Sequence, residues 1–478
     1  MTSRDRVLVW FRRDLRLDDH PALNAAAASG VPVVPVFVWA PDEDGEETPG
    51  AASRWWLHQS LLALDRSLRA KGSRLIVRRG ATAETLLQIA QETGARRILW
   101  NRVSEPVALA AERGLTARLQ AKGISIESFD GSLLFEPGSM RTAAGGSFRV
   151  FTPFWRALWN ERGALREPVQ GPSTIQFPSA WPRSLEITDL GLEPKIDWAQ
   201  GIGAAWTPGE DAARERLRRF ARGPIGRYGD DRDRTDREGT SRLSPHLHFG
   251  EISPIQIWHA VAERPGAEPY LRQLAWREFA WHLLVEHPET THEPFQREFL
   301  NFPWRRNARR LRAWQKGQTG VPFVDAAMRQ LWTTGWMHNR ARLVAASFLV
   351  KHLLIPWQQG AAWFLDTLVD ADLANNTLGW QWVAGCGVDA APYFRIFNPV
   401  TQGERFDPDG TYVRRWVPEL AGLPTEWIQK PWEAPPLVLA AAGVQLGTTY
   451  PRPMVDHAEA RQAALGAFEE MKRARRGK

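Results

Sequence analysis

The sequence predicts two structural classes in one chain: an α/β amino-terminal domain with a parallel, Rossmann-like sheet, then a larger all-α domain. Short apolar runs alternate with helical patterns through the first third of the 478 residues. A stretch rich in proline, glycine, serine and isolated tryptophan follows, and beyond residue 210 helical periodicity continues with no return of strand alternation. Strands alternating with helices imply a parallel sheet covered on both faces, with a ligand crevice beyond the strand carboxyl ends. The expected divisions are 1–130 for the α/β domain, 131–209 for a linker and 210–478 for the helical domain.

Taken in order, strands are expected at Val7–Phe11, 32–39, 74–78, 97–100 and 124–129, all short runs dominated by apolar residues. Between them one helical pattern carries Trp55, Trp56, Leu61, Leu62 and Leu68. A second carries Leu86, Leu87 and Ile89, and a third Leu109, Leu115 and Leu119. No Gly-x-Gly-x-x-Gly opens any of them, so a dinucleotide clamp is not supported. The linker has poor periodicity and reads as a surface connector. Helices are then expected at 211–222, 254–262, 269–286, 324–333, 339–354 and 360–368. Residues 472–478 form a basic tail that reads as a solvated end.

Composition narrows the function. The formal net charge is +7, and the single cysteine, Cys386, excludes a disulfide framework and a cysteine-based metal cluster. No metal site is expected. No apolar run reaches the ~18 residues of a membrane span. Charges at Arg4-Asp5-Arg6 argue against a signal peptide, so a cytoplasmic location is expected. The 24 tryptophans exceed what a core needs.

Three local constellations stand out. Residues 239–247 place Thr240, Ser241 and Ser244 around Arg242, just before Pro245. Small hydroxyls and free backbone N–H groups suit a phosphate or pyrophosphate, and equally an N-cap and turn. Residues 366–382 hold Asp370, Asp372, Asn375, Asn376, Trp380 and Trp382. Such polar groups are costly to bury in a helical domain without partners, and either a large polar cofactor or helix capping would supply them. In 335–342, Arg340 and Arg342 begin a helix and can turn to different partners.

The chain resembles the DNA photolyase/cryptochrome family at residues 10–16 (WFRRDLR), 239–244 (GTSRLS), 276–279 (WREF), 324–329 (VDAAMR), 335–340 (GWMHNR) and 389–399 (DAAPYFRIFNP). The likeness runs from the first strand to about Trp432. It implies an α/β antenna domain, a helical FAD-binding domain and light-driven repair of pyrimidine dimers in DNA. Residues implied to contact FAD are Tyr228, Thr240, Ser241, Arg242, Leu243, Ser244, Tyr270, Arg277, Asn339, Arg342, Asp370, Asp372 and Asn376. Asn376 falls on the position facing flavin N5. A neutral amide there accepts a hydrogen bond from N5–H, whereas the Asp of plant cryptochromes could protonate N5 and stabilise a signalling radical. Asn376 therefore favours repair.

The resemblance also sorts the tryptophans. Trp380, Trp357 and Trp304 match the electron-relay triad, and Trp276 and Trp382 match aromatics that pack on a flipped-out dimer. Arg232, Arg340 and Arg395 match positions at the pocket mouth or on backbone phosphates. Gln273 stands where relatives commonly have Glu, and Leu343 where they have Met. The alternatives are a cryptochrome-like photoreceptor and a (6-4) photolyase. Trp39, Arg54, Trp55, Trp56 and Glu105 lie in N-terminal segments that could border a second chromophore. The segment from Asp42 to Trp56 resembles class III cyclobutane photolyases, which implies methenyltetrahydrofolate as antenna. No obligate protein partner is implied, and a monomer is expected.

Overall fold

The structure, a computed structural model, describes residues 6–43, 45 and 48–476. The Arg4-Asp5 pair, Asp44, Glu46 and Glu47 of the 42–56 segment, and the last two residues of the basic tail lie outside the described residues. Two compact units emerge. The first comprises Met1–Gln200, Trp206–Gly226 and Ser241–Pro288; the second comprises Gly201–Ala205, Arg227–Thr240 and Glu289–Lys478. Among the described residues, no helix is long and apolar enough to cross a membrane.

The first unit is built on five strands: β1 (Val7–Phe11), β2 (Val33–Trp39), β3 (Ile76–Arg79), β4 (Arg97–Asn101) and β5 (Ser125–Phe129). All neighbours pair in parallel, in the order β3-β2-β1-β4-β5. Chain order reverses between β1 and β4, the place where α/β sheets open a crevice beyond their strand ends. Each residue of β1 is buried, as a central strand covered on both faces requires.

The residues after β1 tie this unit together. The buried Arg16 guanidinium donates to the carbonyls of Asp19, Gly131 and Gly250, at 2.7–3.1 Å. Gly250 has φ +64°, and a Cβ there would collide with the Arg13 carbonyl, so only glycine permits this approach.

Two expectations need correction. Residues 131–209 are not featureless connector. They contain the helix Phe151–Glu161, which buries Phe151, Phe154, Trp155 and Leu158 at i, i+3, i+4 and i+7 spacing. The helix expected over 339–354 is α-helical only over Asn339–Ser347 and then widens into a π turn at Phe348–His352. The extra residue in that turn carries Lys351 inward. The helices Glu210–Arg222, Pro254–Val261 and Glu268–Glu286 pack within the first unit, because periodicity specifies a buried face but not the surface that buries it.

The second unit is helical around one core that includes Trp314, Phe323, Phe348, Trp357, Phe364, Trp380, Tyr393 and Tyr450. The helix Leu373–Ala384 packs against Asn339–Ser347 and Trp357–Thr367.

Candidate functional site

In the first unit, the expected pyrophosphate segment is a shaped turn. Arg242 has φ +51°, in the left-handed region, and Leu243 follows in the right-handed region with φ −89°. Successive residues of opposite hand turn backbone N–H groups towards one anion. Ser241 Oγ accepts from the Leu243 N–H at 3.3 Å and from the Tyr270 hydroxyl at 3.1 Å. The Arg242 guanidinium lies 4.4 Å from the Trp206 ring centroid. Leu243 is buried and Ser244 exposed, opening the short helix Ser244–His248.

Tyr270, Gln273 and Arg277 share a face of the helix Glu268–Glu286, at i, i+3 and i+7, with Trp276 beside them. Trp276 stacks on Phe151 with centroids 3.8 Å apart and planes 9° apart, so the helix Phe151–Glu161 backs this indole. Arg277 donates to the Ser132 carbonyl at 3.2 Å. Gln273 Nε2 reaches the Pro269 carbonyl at 3.4 Å.

The antenna candidates also lie in this unit. Trp39 and Trp55 are buried, and Arg54 donates to the Pro49 carbonyl at 2.9 Å. Glu105 pairs with Arg13 at 3.0 Å. Trp56 is fully buried, packs near-parallel to Phe249 and donates its indole N–H to Glu251 at 3.1 Å, which makes it a core residue.

In the second unit, Asp372 caps the helix Leu373–Ala384 by accepting from the Asn375 N–H at 2.8 Å. One turn on, Asn376 donates from Nδ2 to the Ala361 carbonyl at 3.1 Å. That bond commits the amide nitrogen and leaves Oδ1 as the acceptor end. Arg342 Nη2 reaches both oxygens of buried Asp370, at 2.9 and 2.8 Å, while its Nε donates to the Met337 carbonyl at 2.8 Å. Arg340 turns elsewhere, pairing with Asp233 at 2.9 Å over the Phe406 ring. Asn339 is exposed; Arg342 and Leu343, at i+3 and i+4 from it, are half-buried. Tyr228 is buried, which pushes its hydroxyl up to about 12, and Arg232 lies 5.9 Å from its ring. Thr240 and Trp382 are half-buried and Arg395 is exposed.

The three relay candidates differ in burial. Trp380 and Trp357 are 2% and 1% exposed, whereas Trp304 is half-buried. Gly360, one turn after Trp357, makes room for Trp380: a Cβ there would collide with the indole. Phe364 meets the Trp380 ring edge-on at 5.0 Å, so Gly360 and Phe364, on one helix face, seat it. The Trp380 indole N–H is buried with no hydrogen-bond partner among the described residues.

Several residues here have no counterpart among the sequence-based expectations. His338 caps the helix Asn339–Ser347 by accepting from the Arg340 N–H, and burial lowers its pKa to about 4. With Nδ1 accepting, its Nε2 carries the proton and, like Asp233 Oδ1, is buried without a hydrogen-bond partner among the described residues. Lys351 donates to the carbonyls of Tyr393 and Arg395, at 2.9 and 3.0 Å, and burial lowers it to about 7. A lysine followed by His352 within the otherwise apolar run 348–355 is a readable signal for a buried polar group there.

Comparison with known proteins bears on both units. Residues 7–173 match a family model described as DNA photolyase, and residues 270–470 one described as the FAD binding domain of DNA photolyase. The chain is 46% identical to the deoxyribodipyrimidine photo-lyase of Agrobacterium fabrum, with 98% of each chain covered. It is 40% identical to cryptochrome-1 of Arabidopsis thaliana over 97% of this chain and 70% of that one. The solved structure of a bacterial class III photolyase from Agrobacterium tumefaciens superposes with a TM-score of 0.95 at 46% identity, covering 99% of both chains.

Proposed function

The chain belongs to the DNA photolyase and cryptochrome family, and on that footing we propose that it is a deoxyribodipyrimidine photo-lyase, splitting cyclobutane pyrimidine dimers in DNA in a light-dependent reaction. The cofactor is FAD, which when bound and reduced would supply light-driven electron-donor chemistry for ring opening. The second unit fits such a polar group: His338 Nε2 and Asp233 Oδ1 are buried polar atoms without hydrogen-bond partners among the described residues.

The protein's part is binding, orientation and electron supply. The 240–244 turn, with Tyr228 and Tyr270, is assigned to the pyrophosphate and its surroundings. Asn339, Arg277, Asp372 and the Arg342–Asp370 pair are assigned to the remaining polar edges of the cofactor. Asn376 offers an acceptor with no acidic proton to flavin N5, and this observation carries the choice of repair over photoreceptor signalling. Trp276 and Trp382 are assigned to packing on the extruded dimer, and Gln273 and Leu343 to contacts with the same substrate. A Gln there keeps hydrogen-bonding capacity but brings no charge to an electron-rich dimer. Arg232, Arg340 and Arg395 hold the DNA backbone, positioning the duplex without reading its sequence.

Trp380, Trp357 and Trp304 pass electrons inward from the surface. Trp380 has no acceptor for its indole proton among the described residues, which keeps the oxidised ring protonated and favours moving the hole outward. Methenyltetrahydrofolate is the antenna assigned to the first unit, a reading supported by the class III likeness. The protein is assigned to the cytoplasm as a monomer. The test is illumination of the purified yellow protein with dimer-containing oligonucleotide. Light-dependent loss of dimers, with a (6-4) control unchanged, is expected; repair in darkness, or a colourless protein, would overturn the reading.

A further inference from the structure

Residues 303–316 carry Arg305, Arg306, Arg309, Arg310, Arg312 and Lys316 and no acidic residue, in a chain whose whole net charge is +7. All but the half-buried Arg310 are exposed. None of the six has an ion-pair partner among the described residues. The segment is firmly held. The Arg305 N–H donates to the Leu354 carbonyl at 2.7 Å, Asn307 caps the helix Ala308–Gln315 through the Arg310 N–H at 2.9 Å, and Trp314 donates to the Ala345 carbonyl at 3.0 Å.

At the amino-terminal end of the helix this charge does not serve the fold. Arg309 and Arg310 stand in the first turn, where the helix dipole disfavours cations. Arg309 with Arg312, and Arg312 with Lys316, are like-charge pairs at i, i+3 and i, i+4, which weaken a helix. An arrangement that repels itself is relieved by an anion. The residue just before it is Trp304, the half-buried end of the relay, its ring 4.4 Å from that of Phe302.

We propose that this basic strap is an electrostatic funnel that brings a small anionic one-electron donor to Trp304. The inference rests on the relay reading of Trp304. In the step, the donor loses one electron and is oxidised. The Trp304 indole radical cation gains that electron and returns to neutral indole; no bond forms or breaks and no proton moves. A cleft or rim of one sign raises the encounter rate with opposite charges by tenfold or more, and salt removes the gain. The fixed positive field thus selects among donors by charge, while the relay sets where the electron enters.

Ferrocyanide and a cationic ferrocene derivative serve as probes, with recovery of the flash-oxidised tryptophan followed in the flavin-loaded protein. The variant carries Arg305→Gln, Arg306→Gln, Arg309→Gln and Arg312→Gln. Ferrocyanide is expected to react roughly tenfold more slowly with it, the cationic probe no more slowly, and high salt to bring wild type down to the variant. Flavin content and thermal stability are expected to hold, since the substitutions remove repulsion. Equal rates in wild type and variant would overturn the proposal. So would slowing of both probes alike, or an effect confined to dimer-duplex affinity, which would make the strap a DNA contact. Trp304→Phe is the separate control: if recovery by both donors survives it, the relay reading fails, whatever the strap does.

Discussion

Asn376 is the side chain proposed to select between two outcomes of the same photochemistry. Its Nδ2 is spent on the Ala361 carbonyl, so the oxygen end is what it offers. An aspartate would add a group able to hold a proton at that point. Asn376→Asp is expected to lower the repair yield at least tenfold and to stabilise a protonated N5, seen as a long-wavelength absorption band under light. Normal repair by that variant would remove the argument. Arg342 and Asp370 illustrate the complementary case, a charge pair with additional hydrogen bonding from Arg342 to the Met337 carbonyl. Breaking such a partly buried pair by removing one partner leaves the other charge uncompensated, which costs far more than the pair contributes.

The element that most needs explanation is the π turn at Phe348–His352. Such turns are rare and often mark functional positions. Here it points Lys351 at the two carbonyls that flank Phe394, and so at the backbone of the loop that carries exposed Arg395. The nearby groups on that side are Arg395, which disfavours the ammonium, and Cys386, whose thiol burial pushes up to about 12. Below about pH 7 the buried amine is charged and clasps the loop; above it the charge is lost. Affinity for dimer-containing duplex is therefore expected to fall as pH rises through 7. Lys351→Met is expected to be several-fold weaker at pH 6 and to lack this step, with flavin content unchanged. Titration of binding from pH 6 to 8.5 checks both.

At the scale of the whole molecule, net charge is a poor guide to DNA binding, because so much of it sits in one strap. Affinity is expected to depend on salt through the few arginines proposed to reach phosphates. Arg395→Gln should weaken binding to all duplexes alike and reduce the slope of log K against log salt by about 1. A variant that instead loses discrimination between damaged and undamaged DNA, with an unchanged slope, would place Arg395 on the lesion and not on the backbone.

Much of the fold is legible in the order of residues alone. The five strands of the first unit follow directly from apolar runs: Val7–Phe11 has the expected bounds, and no end of the other four is off by more than two residues. The motifs at 10–16, 239–244, 276–279, 324–329, 335–340 and 389–399 identify the family because they are long and ordered. The helix Phe151–Glu161 also carries an i, i+3, i+4, i+7 signal, obscured by the proline-rich sequence around it. Other features have no linear signature. A lysine in an apolar run does not announce that a π turn will aim it at carbonyls more than forty residues on. Nor does a glycine in a helix announce the indole that needs its space.

Periodicity, turn chemistry and motif order are local properties, so the sequence by itself determined most of the element types, the family and the residue types available for photochemistry. Which helices join which compact unit, which end of Asn376 is free and which tryptophan is shielded depend on contacts between residues far apart in the chain. Only the tertiary structure decided those, because burial and hydrogen-bond partnership belong to neighbours in space.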